Sequence, residues 1–441
     1  MKFDAVEIEK FRARTPKSLE LWQLTKEVVP TGHAGGMGAF VPHPIVLERG
    51  AGSRVWDVDG NEYLDLRLGD WVLIHGHSHP AIADAVDAQM RRLVQVGAPE
   101  WNLGYRFSKL LVDRTPSLDK VRLFASGTDA NLAAIRLARG FTRRTKIAKA
   151  RGSYHGTADM LTVGNSILRT PDDLVPLGVS PHAIDEVVQF PFNDPDGFEA
   201  AITAAKDDIA VVLIEPVMTA MAMVEARGEF LQRVREVTSR YGIVLLFDEV
   251  VTYPLAYGGA QAHYGVTPDL TTFGKAIGGG LPVSAVGGRA DIMDLLEADA
   301  HGGVAPMSIM STFGGNSAVA AAGIAALEAL TPEAHARLTA LGDRARAGID
   351  ELGRRYAVDL HATGVGHLIG LHWAPDRVVD FETRLKDDRE KVLNINLVLC
   401  NEGIYQTFTG LFLLSTAITD ADVDFFLDTL DKALHTLGYV G

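Results

Sequence analysis

Two polar residues stand out in the stretch Ile243 to Gly280, IVLLFDEVVTYPLAYGGAQAHYGVTPDLTTFGKAIGGG. An apolar run, Ile243 to Phe247, ends on the carboxylates Asp248 and Glu249, and Lys275 sits between Gly274 and the glycines Gly278 to Gly280. A lysine amine can hold an aldehyde as a Schiff base. A carboxylate can keep a pyridine nitrogen protonated, so that the ring withdraws electrons from a substrate carbon. These are the two polar groups that a pyridoxal phosphate (PLP) enzyme needs, and Lys275 and Asp248 are the catalytic candidates. Taken singly, each has a plainer reading, because strands often end in Asp-Glu and most lysines lie on the surface.

The elements around them strengthen the pair. The chain between Asp248 and Lys275 has room for a loop and a second short strand, Asp269 to Phe273, running beside the first. Both side chains would then emerge at the carboxyl edge of a parallel sheet, where ligands of open α/β folds bind. Ser126-Gly127-Thr128 falls between a strand, Val121 to Phe124, and a helix, Asp129 to Arg139. Free N–H groups and the helix dipole there can hold a phosphate, the two hydroxyls can add hydrogen bonds, and Gly127 lets the anion approach the backbone. Ser and Thr also cap ordinary helices. Tyr154-His155-Gly156 follows the strand Lys146 to Ala150, and its tyrosine could stack on a ring or fill the core.

The remaining rhythm is that of an α/β protein. Strands Ile209 to Ile214 and Ile243 to Phe247 flank a helix, Phe230 to Tyr241, as in a parallel sheet covered on both faces. An amphipathic helical arm over residues 1–29 comes first. Short antiparallel strands with a turn at Asp59-Gly60-Asn61 lie between Ile45 and Leu66. An alanine-rich helix from Ser317 to Leu330 links the domains, and a second helix after Thr331-Pro332, strands His367 to His372 and Leu411 to Ser415, and a last helix from Thr419 make a smaller α+β part. His75, His77 and His79 alternate, but no further ligand cluster completes a metal site, so none is expected.

With 441 residues, two domains are more natural than one. The formal net charge of −14 makes nucleic acid or an anionic membrane a poor partner. Cys400 is the single cysteine, which is compatible with a reducing compartment. No apolar run is long enough to span a bilayer, and the start MKFDAVEIEKFRAR lacks the apolar core of a signal peptide; a cytoplasmic location is the expectation.

As a set, LLFDEVVT, PDLTTFGKAIGGGLPVSAVGGR, ASGTDANLAAIRLAR, YHG and STFGGNSAVAAAG resemble the class III aminotransferases of PLP fold type I. The branch is that of glutamate-1-semialdehyde aminomutase and the β-amino-acid aminotransferases, and the similarity runs from roughly Pro42 to the C-terminal helix. The resemblance implies a mostly parallel, seven-stranded-type sheet in a large PLP-binding domain, 67–316. A small α+β domain, 317–441, would follow, with an N-terminal arm and strands, 1–66, packing on it. It implies pyridoxal 5′-phosphate held by Ser126, Gly127, Thr128, Tyr154, His155, Glu215, Asp248 and Lys275. Thr312 would reach the phosphate of the neighbouring subunit in a homodimer. Asp129 stands where the family usually has Glu.

The implied reaction moves an amino group from an amine or amino-acid donor to a carbonyl acceptor, both small molecules, through the Lys275 Schiff base. The family commonly grips a substrate carboxylate with arginine, whose planar fork suits it. Neither Thr31 to Pro44, nor Val250 to Gly274, nor Ile404 to Leu414 contains one. This favours an amine (omega) transaminase unless His33 or Arg106 supplies the contact; a glutamate-1-semialdehyde-type aminomutase and a β-amino-acid aminotransferase are the alternatives. An NAD(P)-dependent oxidoreductase would need a G-x-G-x-x-G turn, which is missing at Val121 to Arg139.

Overall fold

The computed structural model describes residues 3–35, 42–95, 102–165 and 177–441. It divides into two compact units, one made of Pro80–His335 with Val379–Phe381, the other of Met1–His79, Ala336–Val378 and Glu382–Gly441.

The first unit is built on a seven-stranded sheet in the order Lys120–Phe124, Ser284–Gly288, Leu270–Gly274, Val244–Asp248, Ile209–Ile214, Lys146–Ala150, Val187–Phe190. All its strands run parallel except Ser284–Gly288, which is antiparallel to both neighbours. Ile209–Ile214 and Val244–Asp248 are buried along their whole length. That is why their sequences read as unbroken apolar runs rather than as an alternation. Helix Gly127–Thr142 sets Ala130, Ala134 and Leu137 against Val211, Leu213, Leu246 and Val286. A second cluster joins Phe107, Leu111, Phe273, Ala285 and Ile277 to Val319, Ile324 and Leu327 of helix Ser317–Ala329. The adjacent residues Ala285 and Val286 fall in different clusters because successive side chains leave opposite faces of a strand.

The other unit holds a four-stranded sheet in which Leu47–Ala51, Arg54–Asp57 and Glu62–Asp65 form the expected antiparallel meander. Ile404–Tyr405 joins its edge in parallel. A three-stranded antiparallel sheet comprises Leu360–Thr363, Leu368–Trp373 and Leu411–Leu413. The N-terminal arm is two helices rather than one, Ala5–Arg14 and Pro16–Lys26. Pro16 cannot donate to the preceding turn, so it opens a new helix at its first position. Phe11 packs with Leu397, Cys400 and Phe408. The last helix, Asp420–Thr436, begins with a reciprocal capping box between Thr419 and Asp422. Among the described residues no helix is long and apolar enough to cross a membrane.

Candidate active site

Strands Val244–Asp248 and Leu270–Gly274 are parallel neighbours with Asp248 opposite Thr272. Asp248 and Lys275 therefore leave the sheet at the same carboxyl edge, the position the spacing of the two residues suggested. Lys275 begins a 3-10 turn, Lys275–Gly278, with a left-handed φ of 50°. That conformation costs an L-residue about 1–2 kcal/mol, and such strain collects at functional sites.

Asp248 is only 5% exposed. Its Oδ2 accepts from His155 Nδ1 at 2.9 Å and from Asn131 Nδ2 at 2.8 Å, and its Oδ1 accepts from the Val250 N–H at 3.1 Å. Burial on its own would push the carboxyl upward. The hydrogen bond and charge of His155, helped by Asn131 and the Val250 N–H, outweigh it and hold the group below the usual carboxylate range. Asp248 is thus an ionised carboxylate in a dry setting. His155 is buried, and its Nε2 has no hydrogen-bond partner among the described residues.

Asn131 ties three elements together. Besides its bond to Asp248, its Nδ2 donates to the His155 carbonyl at 2.8 Å, while its Oδ1 accepts from Thr272 Oγ1 at 2.7 Å. Glu215, at the end of Ile209–Ile214, receives the Tyr154 N–H at 2.8 Å and both the N–H and hydroxyl of Thr219, at 3.2 and 2.7 Å. Burial raises its carboxyl. The Tyr154 phenol is also raised, first by burial and then by the charges of Asp248 and Glu215.

At the start of helix Gly127–Thr142 the Ser126 hydroxyl accepts from the Asp129 N–H at 3.3 Å and donates to the Asp129 carboxylate at 2.8 Å. Ser126 is engaged as a helix cap, and the shorter Asp129 side chain suffices to complete it. The cap leaves the N–H groups of Gly127 and Thr128 without an intrahelical partner. Thr128 Oγ1 accepts from the Thr157 N–H at 3.3 Å and lies so close to Gly156 that a Cβ there would meet it at 2.4 Å. Gly156 also has φ +121°, so glycine is required on both counts.

The candidates thus converge on one edge: Asp248, His155, Tyr154 and Glu215 through hydrogen bonds, Gly127 and Thr128 through the adjoining helix start, and Lys275 through the strand register. Thr312 is not in this bonded cluster. It lies exposed between Met310 and Phe313, which are themselves 85% and 62% exposed, and its carbonyl accepts from Gln95 Nε2 at 2.5 Å. Arg106 pairs with Glu328 at 3.2 Å on the surface of the same unit. The glycine-rich loop from Thr31 to Pro44 lies partly outside the described residues. Among the described residues no cluster of His, Cys, Asp or Glu could hold a metal ion. His77 instead bonds Asp65 at 2.6 Å, and His75 bonds Thr416 at 3.1 Å.

A family model described as "Aminotransferase class-III" matches residues 38–434. The chain belongs to this family. Class III aminotransferases are PLP-dependent enzymes of fold type I, as the motifs led one to expect. Over 433 residues the chain is 36% identical to a protein named glutamate-1-semialdehyde 2,1-aminomutase 2 from Bacillus cereus, covering 96% of this chain and 98% of the other. An omega-transaminase structure from Sphaerobacter thermophilus is 36% identical with a TM-score of 0.89, covering 95% of this chain and 97% of that one. A β-phenylalanine aminotransferase from Variovorax paradoxus is 32% identical with a TM-score of 0.91, at 99% and 97% coverage.

In the bonded cluster around Asp248 of this class III aminotransferase, the residues that sequence reasoning missed are Asn131 and Thr272. Asn131 carries a signal in retrospect, being an amide among the small apolar residues of ANLAAIRLA on a buried helix face. Thr272 offers none, since threonine is an ordinary strand residue.

Proposed function

We propose that this enzyme is an amine (omega) transaminase, with Lys275 and Asp248 as its catalytic residues. The observation that supports the site assignment best is the ionised, buried Asp248 beside Lys275 at one sheet edge, backed by His155 and Asn131. The residues fit the cofactor: Gly127 and Thr128 offer helix-start N–H groups for a phosphate, a Cβ at Gly156 would collide with Thr128, and His155 presents a buried Nε2 without a partner among the described residues. When bound, pyridoxal phosphate supplies an aldehyde that condenses with amines and a protonated pyridine ring that draws electrons from the substrate carbon.

Asp248 holds the proton on the pyridine nitrogen, and His155 and Asn131 keep Asp248 ionised while it does so. Gly127 and Thr128 would bind the phosphate, and Tyr154, its backbone pinned by Glu215, would offer its ring for stacking. Lys275 Nζ would hold the cofactor aldehyde at rest, and the lysine amine, once freed by an incoming substrate amine, would take the proton from the substrate carbon as general base and deliver it to the cofactor carbon as general acid. Thr312 lends its hydroxyl to the phosphate of a neighbouring subunit in a homodimer, for which its exposed position between two exposed apolar residues is suited.

A donor without a carboxylate beside the reacting centre is favoured because Thr31 to Pro44, Val250 to Gly274 and Ile404 to Leu414 contain no arginine. The aminomutase names among the relatives favour a second reading, in which one molecule serves as both amino donor and carbonyl acceptor. The test is a visible spectrum of purified protein with a simple arylalkyl amine or, separately, a β-amino acid. The wild type should show a band from lysine-bound cofactor that Lys275→Ala lacks, and the amine should bleach it. Bleaching by the β-amino acid alone would refute the donor assignment, and no band after added PLP would refute the site.

A further inference from the structure

Lys149 lies on Lys146–Ala150, the strand next to the edge of the seven-stranded sheet, with 0% exposure. A fully buried lysine is rare unless it is paired. Its Nζ donates to three main-chain carbonyls, Ser153 at 3.2 Å, Leu161 at 2.7 Å and Val163 at 2.9 Å. An ammonium has three N–H donors and a neutral amine has two, so only the charged form satisfies all three carbonyls. The opposing charge that acts on it is Glu215, the residue after the adjoining strand Ile209–Ile214.

These three carbonyls belong to one excursion of chain. It leaves the sheet at Ala150, carries Tyr154, His155 and Gly156, forms the short helix Asp159–Thr162, and returns where Gly152 N–H bonds the Gly164 carbonyl at 2.7 Å. The excursion has little regular pairing of its own. One nitrogen atom gathers its start, at Ser153, and its end, at Leu161 and Val163. Tyr154 is the next residue after Ser153. On its other side it is held by Glu215, while Asn131 takes the His155 carbonyl and Thr128 the Thr157 N–H.

We infer that Lys149 is a positioning residue for the cofactor, its ammonium fixing the Tyr154-His155 wall and, through His155, the hydrogen bond that keeps Asp248 ionised. The inference rests on the proposed PLP site. Burial draws the Lys149 amine down to about 7, against the pull of Glu215. The clasp is therefore complete at acidic pH and loses one donor as the pH rises through about 7. Other groups facing this chain segment, Glu215, Asp248 and His155, belong to the site already described.

The test compares wild type with Lys149→Met, which keeps the length of the side chain but removes charge and donors. PLP affinity would be measured by titrating apoprotein, together with the circular dichroism of the visible cofactor band, which reports how the ring sits in its chiral wall. Loss of three buried hydrogen bonds from a cation should weaken PLP binding at least about 10-fold and change the sign or intensity of that dichroism. Wild-type affinity and dichroism in a folded Lys149→Met would overturn the inference while leaving the PLP site standing; a wild type without any cofactor band would instead overturn the site. If Lys149→Met does not fold, amide hydrogen exchange of wild-type holoenzyme decides. Between pH 6 and 9, residues 153–163 should open faster than the intrinsic base-catalysed rise, with Ile209–Ile214 as the internal control, and an opening rate that does not change would overturn the inference.

Discussion

Replacing Asn131 by alanine removes three hydrogen bonds at once: to Asp248 Oδ2, to the His155 carbonyl, and from Thr272 Oγ1. The bond to the ionised Asp248 is the functional one, and a hydrogen bond to a charged group contributes about 1.5–3 kcal/mol. If that contribution acts in the transition state, where the pyridine nitrogen must stay protonated, kcat/KM should fall roughly 10- to 150-fold. The other two bonds are neutral, and losing them leaves a buried carbonyl and a buried hydroxyl unpaired, which destabilises the fold by a further 1–3 kcal/mol or so each. The two effects separate experimentally. Steady-state kinetics with saturating PLP reads the first, while urea unfolding of apoprotein reads the second. Asn131→Asp places a second carboxyl against Asp248 and should be worse than alanine in kinetics, because like charges at this distance cannot both remain ionised. If Asn131→Ala retains kcat/KM within a factor of about two, the amide does not act through Asp248 and the reasoning fails.

Glu249 is buried, and its carboxyl is pushed up to about 7, by burial first, with the N–H groups of Ala260 and Gln261 and the Gln261 amide opposing. The folded chain then holds a proton that the unfolded chain releases above about pH 4.3, so this residue makes stability fall as the pH rises from there to about 7, by roughly 4 kcal/mol at most. Glu249→Gln should remove that slope; unfolding free energies at pH 5 and pH 8 that differ equally in the two apoproteins would contradict it. For Thr312, the variant Thr312→Val should weaken PLP binding, and mixing it with Lys275→Ala subunits should restore one wild-type site per hybrid dimer, since the lysine-less partner still lends its threonine. No restoration in the hybrid would mean that Thr312 serves its own chain or none.

The sheet edge that carries Asp248 and Lys275 was legible because Val244 to Phe247 is an unbroken apolar run that ends on Asp248, and Lys275 directly follows a second short strand. Gly127 and Thr128 were legible from the strand-to-helix turn. The closing of the Ser126 cap was not: that its hydroxyl engages the Asp129 carboxylate shows only in the side-chain geometry. Asn131, Thr272 and Lys149 escaped because their partners are remote in sequence or are main-chain atoms, and neither leaves a trace in residue spacing. The break in the N-terminal arm hung on Pro16, which starts a helix as readily as it ends one.

The one reversed strand of the large sheet has a mechanical meaning. Gly274 and Ser284 are direct partners across the Leu270–Gly274 and Ser284–Gly288 pair, and the Ser284 hydroxyl is bonded to the Ser126 carbonyl at 2.5 Å. The segment that carries Lys275 is therefore a closed staple: its two legs stand side by side in the sheet, and one leg is bolted to the start of the helix that begins at Gly127. Added length between residues 275 and 283 could only bow outward, because neither leg can slide without breaking register with both neighbours. An engineer who wishes to change what this enzyme accepts should leave that staple untouched and vary loops whose ends are not locked to each other.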